Sequence, residues 1–284
     1  MTGRFRIGLV VLLTTLGFSI PALAAEGPAL DTLRFRMAPL PGDILGVGAA
    51  TAHEVGVLRG MFSLQGEHNP IFLVTDPDRV EPIISDRMVG EIAMTFGLGK
   101  GISLYSGLPM VMYQSGWWPD QNDDIHSWGL GDLRFGASFP VLDPEKHPVG
   151  IALRPAVQAP TGVRQAFASS GVVELHGAVA VETRRLGPVR LASSLGARVG
   201  PPSDWVDVEV YSAFTYGLGV DVRVHKRWTV DAAWIGEVAG NNWENPMEIR
   251  VGGSFTPTDG VDLGTCMGFG VAPGAGTPDF RLGF

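Results

Sequence analysis

The sequence predicts an all-β chain, an antiparallel up-and-down transmembrane β-barrel of about twelve strands. Three observations predict it. Apolar residues recur with period two in segments of nine to thirteen residues, so each segment carries one apolar and one polar face. Glycine supplies 39 of 284 residues, about twice the usual share of roughly 7%, and 21 prolines join it; a helical bundle does not tolerate this composition. Connections between segments alternate short and long, as in barrels with short periplasmic turns and longer outer loops. Only 18% of residues are charged and 45% are apolar, which excludes a disordered chain. The net charge of −8 argues against nucleic acid as a partner, and the single Cys266 excludes an intrachain disulfide framework.

Residues 1–24 read as a signal peptide: Arg4 and Arg6 precede an apolar run from Ile7 to Ile20, and Pro21-Ala22-Leu23-Ala24 ends on a small-residue cleavage site. Residues 25–52 do not alternate and hold Pro28, Pro39 and Pro41; they are expected as a periplasmic lead segment with the option of folding into the barrel mouth. The barrel is expected over 53–284. Its strands fall at about 55–65, 87–97, 101–113, 130–140, 148–158, 171–183, 189–199, 208–221, 227–238, 246–256, 260–271 and 278–284. An even count puts both barrel ends, and with them the N- and C-termini, on the periplasmic side.

Val189, Leu191, Leu195 and Val199 show the alternation, set against Arg190, Ser194, Gly196 and Arg198. A soluble sandwich also uses such strands. The lipid-facing barrel is favoured by segment lengths near the 9–11 residues that cross hydrocarbon. Leu98-Gly99-Lys100, Arg185 to Pro188 and His225-Lys226 are short connections, whereas Gly66 to Ser85 and Gly116 to Ser127 are long. Trp117, Trp118, Trp128 and Trp228 near segment ends fit interfacial girdles.

Several motifs recur in order: Leu33-Arg34-Phe35, Glu67-His68-Asn69-Pro70, Gly97-Leu98-Gly99-Lys100-Gly101, Gly131-Asp132-Leu133-Arg134-Phe135-Gly136, Pro160-Thr161-Gly162 and Gly276-Thr277-Pro278-Asp279-Phe280-Arg281. Together they resemble the barrel half of outer-membrane-protein-A-type proteins of myxobacteria and related delta-proteobacteria, over nearly the whole mature chain. The resemblance implies the outer membrane of a Gram-negative bacterium, with lipid and lipopolysaccharide as surroundings. It is expected without the peptidoglycan-binding domain that follows many such barrels. The ending Phe280, Leu282, Phe284 resembles the strand by which the barrel-assembly machinery recognises its clients, and Phe284 is expected at the periplasmic interface beside the first strand.

Strand parity assigns the lumen-facing charges. Arg59, Arg134, Arg154, Arg190, Arg198, Arg250 and Arg281 are basic; Glu91, Asp132, Glu174, Glu182, Glu209, Asp221, Asp231, Glu237, Glu248, Asp262 and Asp279 are acidic. Two readings stand: a water-filled pore with a mild cation preference, or a lumen cross-braced by ion pairs. Small inward residues such as Gly136, Ala152, Gly196, Gly217, Gly252, Gly264, Gly268 and Gly270 leave room for water. Cys266 has inward parity and is expected as a free lumen thiol.

No G-x-S-x-G or H-E-x-x-H occurs, no cofactor is implied, and the chain is not expected to be an enzyme. His176 is expected as a satisfied lumen histidine. Asp120, Asn122, Asp123, Asp124 and His126 are read as solvated loop residues, not as a metal site. The expected function is a small passive pore for ions or small solutes. The alternative is a structural or docking barrel of an adhesion, secretion or motility complex, whose partner grasps segment 26–52.

Overall fold

The computed structural model describes residues 30–37, 40, 42–51, 54–76, 79–118, 123–205, 208–210, 212–239, 245–272 and 276–284. The signal segment lies outside them. Twelve antiparallel strands form the wall: β1 (Leu58–Asp76), β2 (Arg79–Gly99), β3 (Ile102–Trp118), β4 (Leu133–Leu142), β5 (Val149–Ala159), β6 (Glu174–Thr183), β7 (Val189–Val199), β8 (Ala213–His225), β9 (Trp228–Ala239), β10 (Met247–Thr258), β11 (Val261–Ala272) and β12 (Phe280–Gly283). Each strand pairs with its chain neighbours, and β12 pairs with β1 to close the ring. Closure leaves no open edge facing hydrocarbon, where unpaired backbone groups have no water.

The burial pattern is that of a globular protein turned inside out. The outward set includes Phe62, Ile92, Leu104, Phe135, Leu153, Leu175, Leu195, Leu218, Ile249, Met267 and Phe269, all exposed. The inward set of the same strands includes Glu91, Arg154, Glu174, Arg198, Asp221, Glu248, Arg250 and Arg281, all buried. Apolar surface in this continuous band is stable against lipid tails, not against water.

One end of the barrel carries the turns at 100–101, 143–148, 184–188, 226–227 and 259–260, and is called the short-turn end. The turn after β2 is tight because Gly99, Lys100 and Gly101 all take positive φ, at 129°, 53° and 77°. The other, long-loop end carries the connections 119–132, 160–173 and 200–212.

Two expectations about the elements are corrected. Most of Gly66 to Ser85 is strand, not loop: β1 and β2 run on as a hairpin of 19 and 21 residues. Beyond the hydrocarbon a strand has no lipid to face, so the alternation that identifies it lapses, here through Asn69 (φ 51°) and shifts of register from His68 to Phe72. The strand expected from residue 208 begins at Ala213. Residues 208–210 instead pair with 203–205 in a separate hairpin, so Glu209 lies outside the barrel wall. Phe284 is exposed and exchanges both backbone hydrogen bonds with Leu64, which sets it beside the first strand.

The largest departure concerns residues 30–51. Their described residues fill the lumen. Leu30 and Asp31 pair with Ser169 and Ala168 at the long-loop end, and Thr51 hydrogen-bonds Glu182 at the short-turn end of β6. Between them Leu33, Leu40, Ile44, Val47, Ala49 and Ala50 are buried. A miniature hairpin closes where Ile44 and Val47 exchange backbone hydrogen bonds of 2.9 and 2.8 Å around Leu45 (φ 46°) and Gly46 (φ 103°). Positive φ at both central residues is what a two-residue hairpin turn demands, and Gly46 meets it without strain.

Candidate functional site: the plugged lumen

Gly217, Gly219 and several inward alanines make room for this segment, while Gly136, Gly196, Gly252 and Gly268 abut other wall residues. A Cβ on Gly217 would meet Val47 Cγ2 at 3.1 Å, and one on Gly219 would meet Ile44 Cβ at 3.1 Å. Ala152 and Ala180 pack on Ala50, while Ala192, Ala233 and Ile235 pack with Phe35, Ile44 and Val47. The plug therefore seats on small wall residues through short apolar side chains.

Polar contacts hold it at three levels. At the long-loop end, Asp31 accepts from Gln158 Nε2 at 2.6 Å and pairs with Arg36 at 3.3 Å. Arg36 also donates to the carbonyl of Asp132, and Arg87 donates to both oxygens of Thr32. In the middle, Arg154 Nη1 and Nη2 grip Asp43 at 2.7 and 2.8 Å, and Arg250 donates to the carbonyls of Phe35 and Leu45. At the short-turn end Thr51 binds Glu182, which also pairs with Arg190 at 3.4 Å.

The wall charges are braced among themselves. Arg190 and Arg185 converge on Asp221 at 2.5 and 2.6 Å, and Asp231 stands opposite Asp221 on β9. Arg198 pairs with Glu237 at 3.1 Å and with Glu174 at 3.7 Å. Arg281 on β12 reaches Glu248 of β10 at 3.0 Å and both Gln65 and Glu67 of β1, while Arg250 pairs with Glu248 at 2.8 Å. Among the expected lumen charges, Arg59 and Asp262 keep inward parity but are exposed near the short-turn rim, where Asp262 accepts from Thr256. Asp279 is exposed just before β12 and binds Asn69.

Cys266 is buried on the inward face and its thiol is free. His176 Nε2 stands 3.6 Å from Glu174 Oε2. Trp117 and Trp128 are exposed at the long-loop end; Trp228 is exposed at the short-turn end, stacked on Phe255 at 4.6 Å. The side chains of Glu209, Trp118, Asp123, Asp124 and His126, and all of Asp120 and Asn122, lie outside the described residues.

Beside the plug lies a cavity of about 190 Å³. Plug residues Asp31, Arg34, Phe35 and Arg36 form one side of it; Arg134, Arg154, Gln158, Glu174, His176 and Arg198 form the other. Five arginines against three carboxylates line it, the reverse of the acidic excess that parity predicts for the whole lumen.

Asp132, just outside β4, closes the long-loop end. Its carboxylate accepts from the backbone N–H groups of Gly162 and Ser170 at 2.9 and 3.2 Å. Burial, reinforced by the neighbouring Asp31, pushes its pKa up to about 6. In the 143–148 turn, the Glu145 backbone N–H and Lys146 hold Asp143 below the usual carboxylate range. Sequence reasoning missed Asp31, Arg36, Asp43 and Thr51, because segment 25–52 has no periodicity to assign its faces, and Gln158, whose inward parity on β5 was readable but whose side chain carries no charge.

No protein-family model matches the chain, and no curated protein is measurably similar to it in sequence. Its structure is similar to that of an outer membrane channel from Pseudomonas putida F1, with 16% identity, a TM-score of 0.66, and coverage of 86% of this chain and 97% of that one. Weaker likenesses are to a deltaS2 mutant of the monoaromatic hydrocarbon channel TodX (7% identity, TM-score 0.43, 86% of this chain and 83% of that one) and to OmpT, an outer membrane protein of Vibrio cholerae (8% identity, TM-score 0.32, 81% and 98%). The first likeness shows an outer-membrane β-barrel fold.

Proposed function

We propose that this chain is an outer-membrane channel for small solutes, held shut by its own residues 30–51. The observation that carries the reading is the way the plug is seated. A permanent core buries apolar surface and few charges; this segment packs short apolar side chains on the wall but is also held by the Asp43–Arg154 pair, by Thr51 on Glu182 and by arginine bonds to its carbonyls. Such contacts exchange readily for water or solute when the segment shifts. The similarity to an outer membrane channel supports the same reading.

The short-turn end then faces the periplasm and the long-loop end faces outward, among lipid and lipopolysaccharide of a Gram-negative outer membrane. Phe280, Leu282 and Phe284 present outward to the barrel-assembly machinery. The ordered motifs that resemble outer-membrane-protein-A-type barrels support an envelope barrel; twelve strands exceed the about eight of the small barrels of that type. The chain is read as non-enzymatic, its inward acids and bases serving mainly as structural pairs. The docking alternative rested in part on a free segment 26–52, and the described residues between 30 and 51 lie in the lumen, which favours the channel reading.

Planar-bilayer recordings test the proposal. The intact chain should conduct rarely and in brief openings, and Asp43→Asn should open often and for longer. Silence of both proteins, each shown to be folded and inserted, overturns it.

A further inference from the structure

The lumen cavity has a feature the plug does not use. Arg134 on β4 projects into it with no carboxylate within 4.0 Å among the described residues. Its described hydrogen-bond partner is the neutral Oε1 of Gln158, at 3.2 Å, and its buried Nε has none. Arg198, two rungs along the same inward face, spends both terminal nitrogens on Glu237 and Glu174 and leaves its buried Nε open as well. A guanidinium taken from water without a counter-ion is costly, so the site is incomplete as it stands.

We propose that this cavity is a binding station for a small organic carboxylate, with Arg134 as its anchor. The proposal rests on the channel reading and names the class of solute that the channel takes. The guanidinium fork matches a carboxylate in two parallel hydrogen bonds, which a point charge does not. Of the five arginines in the lining, Arg154 is already neutralised by Asp43 behind it and three face the three lining carboxylates, so Arg134 is the surplus positive charge, which selects an anion over a cation. Tyr105, Ala156 and Ile235 offer apolar wall for a short hydrocarbon body. The volume of about 190 Å³ exceeds the roughly 150 Å³ cavity known to hold a benzene-sized molecule. Gln158 ties the station to the plug, because it bonds both Arg134 and Asp31. A carboxylate on Arg134 therefore changes the surroundings of a residue that seats the plug.

Isothermal titration of the full detergent-solubilised chain with butyrate, and with the neutral butyramide, tests the station. Butyrate should bind saturably at one site, with butyramide at least about tenfold weaker, a difference of about 1.4 kcal/mol. Arg134→Gln should weaken butyrate by at least about tenfold, and Arg134→Lys by less, since it keeps the charge and loses the fork. Should the variants misfold, the comparison of butyrate with butyramide on the unaltered chain decides alone. Equal affinity for the two probes, equal affinity for inorganic phosphate, or unchanged butyrate affinity in a folded Arg134→Gln protein overturns the proposal. Conductance of Asp43→Asn without butyrate binding refutes the station and leaves the channel standing. Butyrate binding without conductance in any variant supports the station and removes the channel.

Discussion

Arg154 of β5 grips Asp43 of the plug with two parallel hydrogen bonds of 2.7 and 2.8 Å, at mid-depth of the lumen, and both side chains are almost fully buried. Breaking a buried pair by removing one partner costs about 3–5 kcal/mol, because the other charge is left stranded. In Asp43→Asn that cost falls on the plugged state, since water reaches Arg154 once the plug has moved. The expected outcome is a higher open probability and faster proteolysis within residues 30–51, with an unchanged barrel in circular dichroism. Protease digestion followed by mass spectrometry checks it independently of electrical recording.

Gly219 offers a steric route to the same end. Its missing Cβ is what lets Ile44 approach the wall, and Gly219→Val adds three carbons where 3.1 Å is free for one. Overpacking costs about 1–3 kcal/mol. The wall is held by its ladder and the plug is not, so the plug yields. A spin label on the plug should gain mobility in Gly219→Val, and the barrel's resistance to unfolding in detergent should change little.

Arg281 ties the shortest strand to its neighbour β1 through Gln65 and Glu67, and across β11 to Glu248 on β10. Glu248→Gln leaves the buried Arg250 guanidinium without a carboxylate among the described residues and Arg281 with Glu67 alone. A loss of about 3–5 kcal/mol is expected, read as a markedly lower temperature for the heat-induced shift in gel mobility. Deleting Phe284 removes two backbone hydrogen bonds to Leu64, about 1 kcal/mol each. That smaller loss should leave the folded barrel heat-resistant while lowering the amount inserted, if the terminal aromatic is read during assembly. Quantifying surface levels against melting temperature separates the two effects.

A pH response is expected at Asp132. Its pKa in the fold, about 6, stands above its ordinary value of 3.8 because of burial beside Asp31. A raised folded pKa gives stability that is fully present below the unfolded value and is lost as pH rises through the folded one. The long-loop end should therefore be tightest below about pH 4 and loosen up to about pH 6. Hydrogen exchange at Gly162 and Ser170, whose amides bind this carboxylate, should follow that course once corrected for intrinsic rates. Asp132→Asn should flatten it.

The wall was legible in the sequence because lipid imposes a simple rule: wherever a strand crosses hydrocarbon, every second residue is apolar. Leu191, Leu195 and Val199 against Arg190, Ser194 and Arg198 show the rule at work, and β7 lies at the residues expected of it. Where the constraint lapsed, so did the reading. The distal halves of β1 and β2 rise beyond the membrane and looked like loop; Glu209, in a long connection, looked like strand. The plug was illegible for another reason. Its residues are held one by one by particular arginines, so Asp43 is meaningful only once Arg154, 111 positions away, is known to face it. The inward glycines were recognised as space, and only the structure shows what occupies that space.

The course of residues 30–51 through the ring has a consequence for the order of events during biogenesis. Leu30 and Thr51 lie at opposite mouths, and β12 meets β1 around whatever the ring encloses. Either the last seam is sewn after the segment has been laid down, or the segment must later be threaded lengthwise through a finished hoop. A hoop closed empty would leave Arg154, Arg250 and Glu182 facing water in place of the plug partners found for them here. The segment is then a mandrel about which the wall is wound, and a nascent chain lacking it should stall before the seam closes.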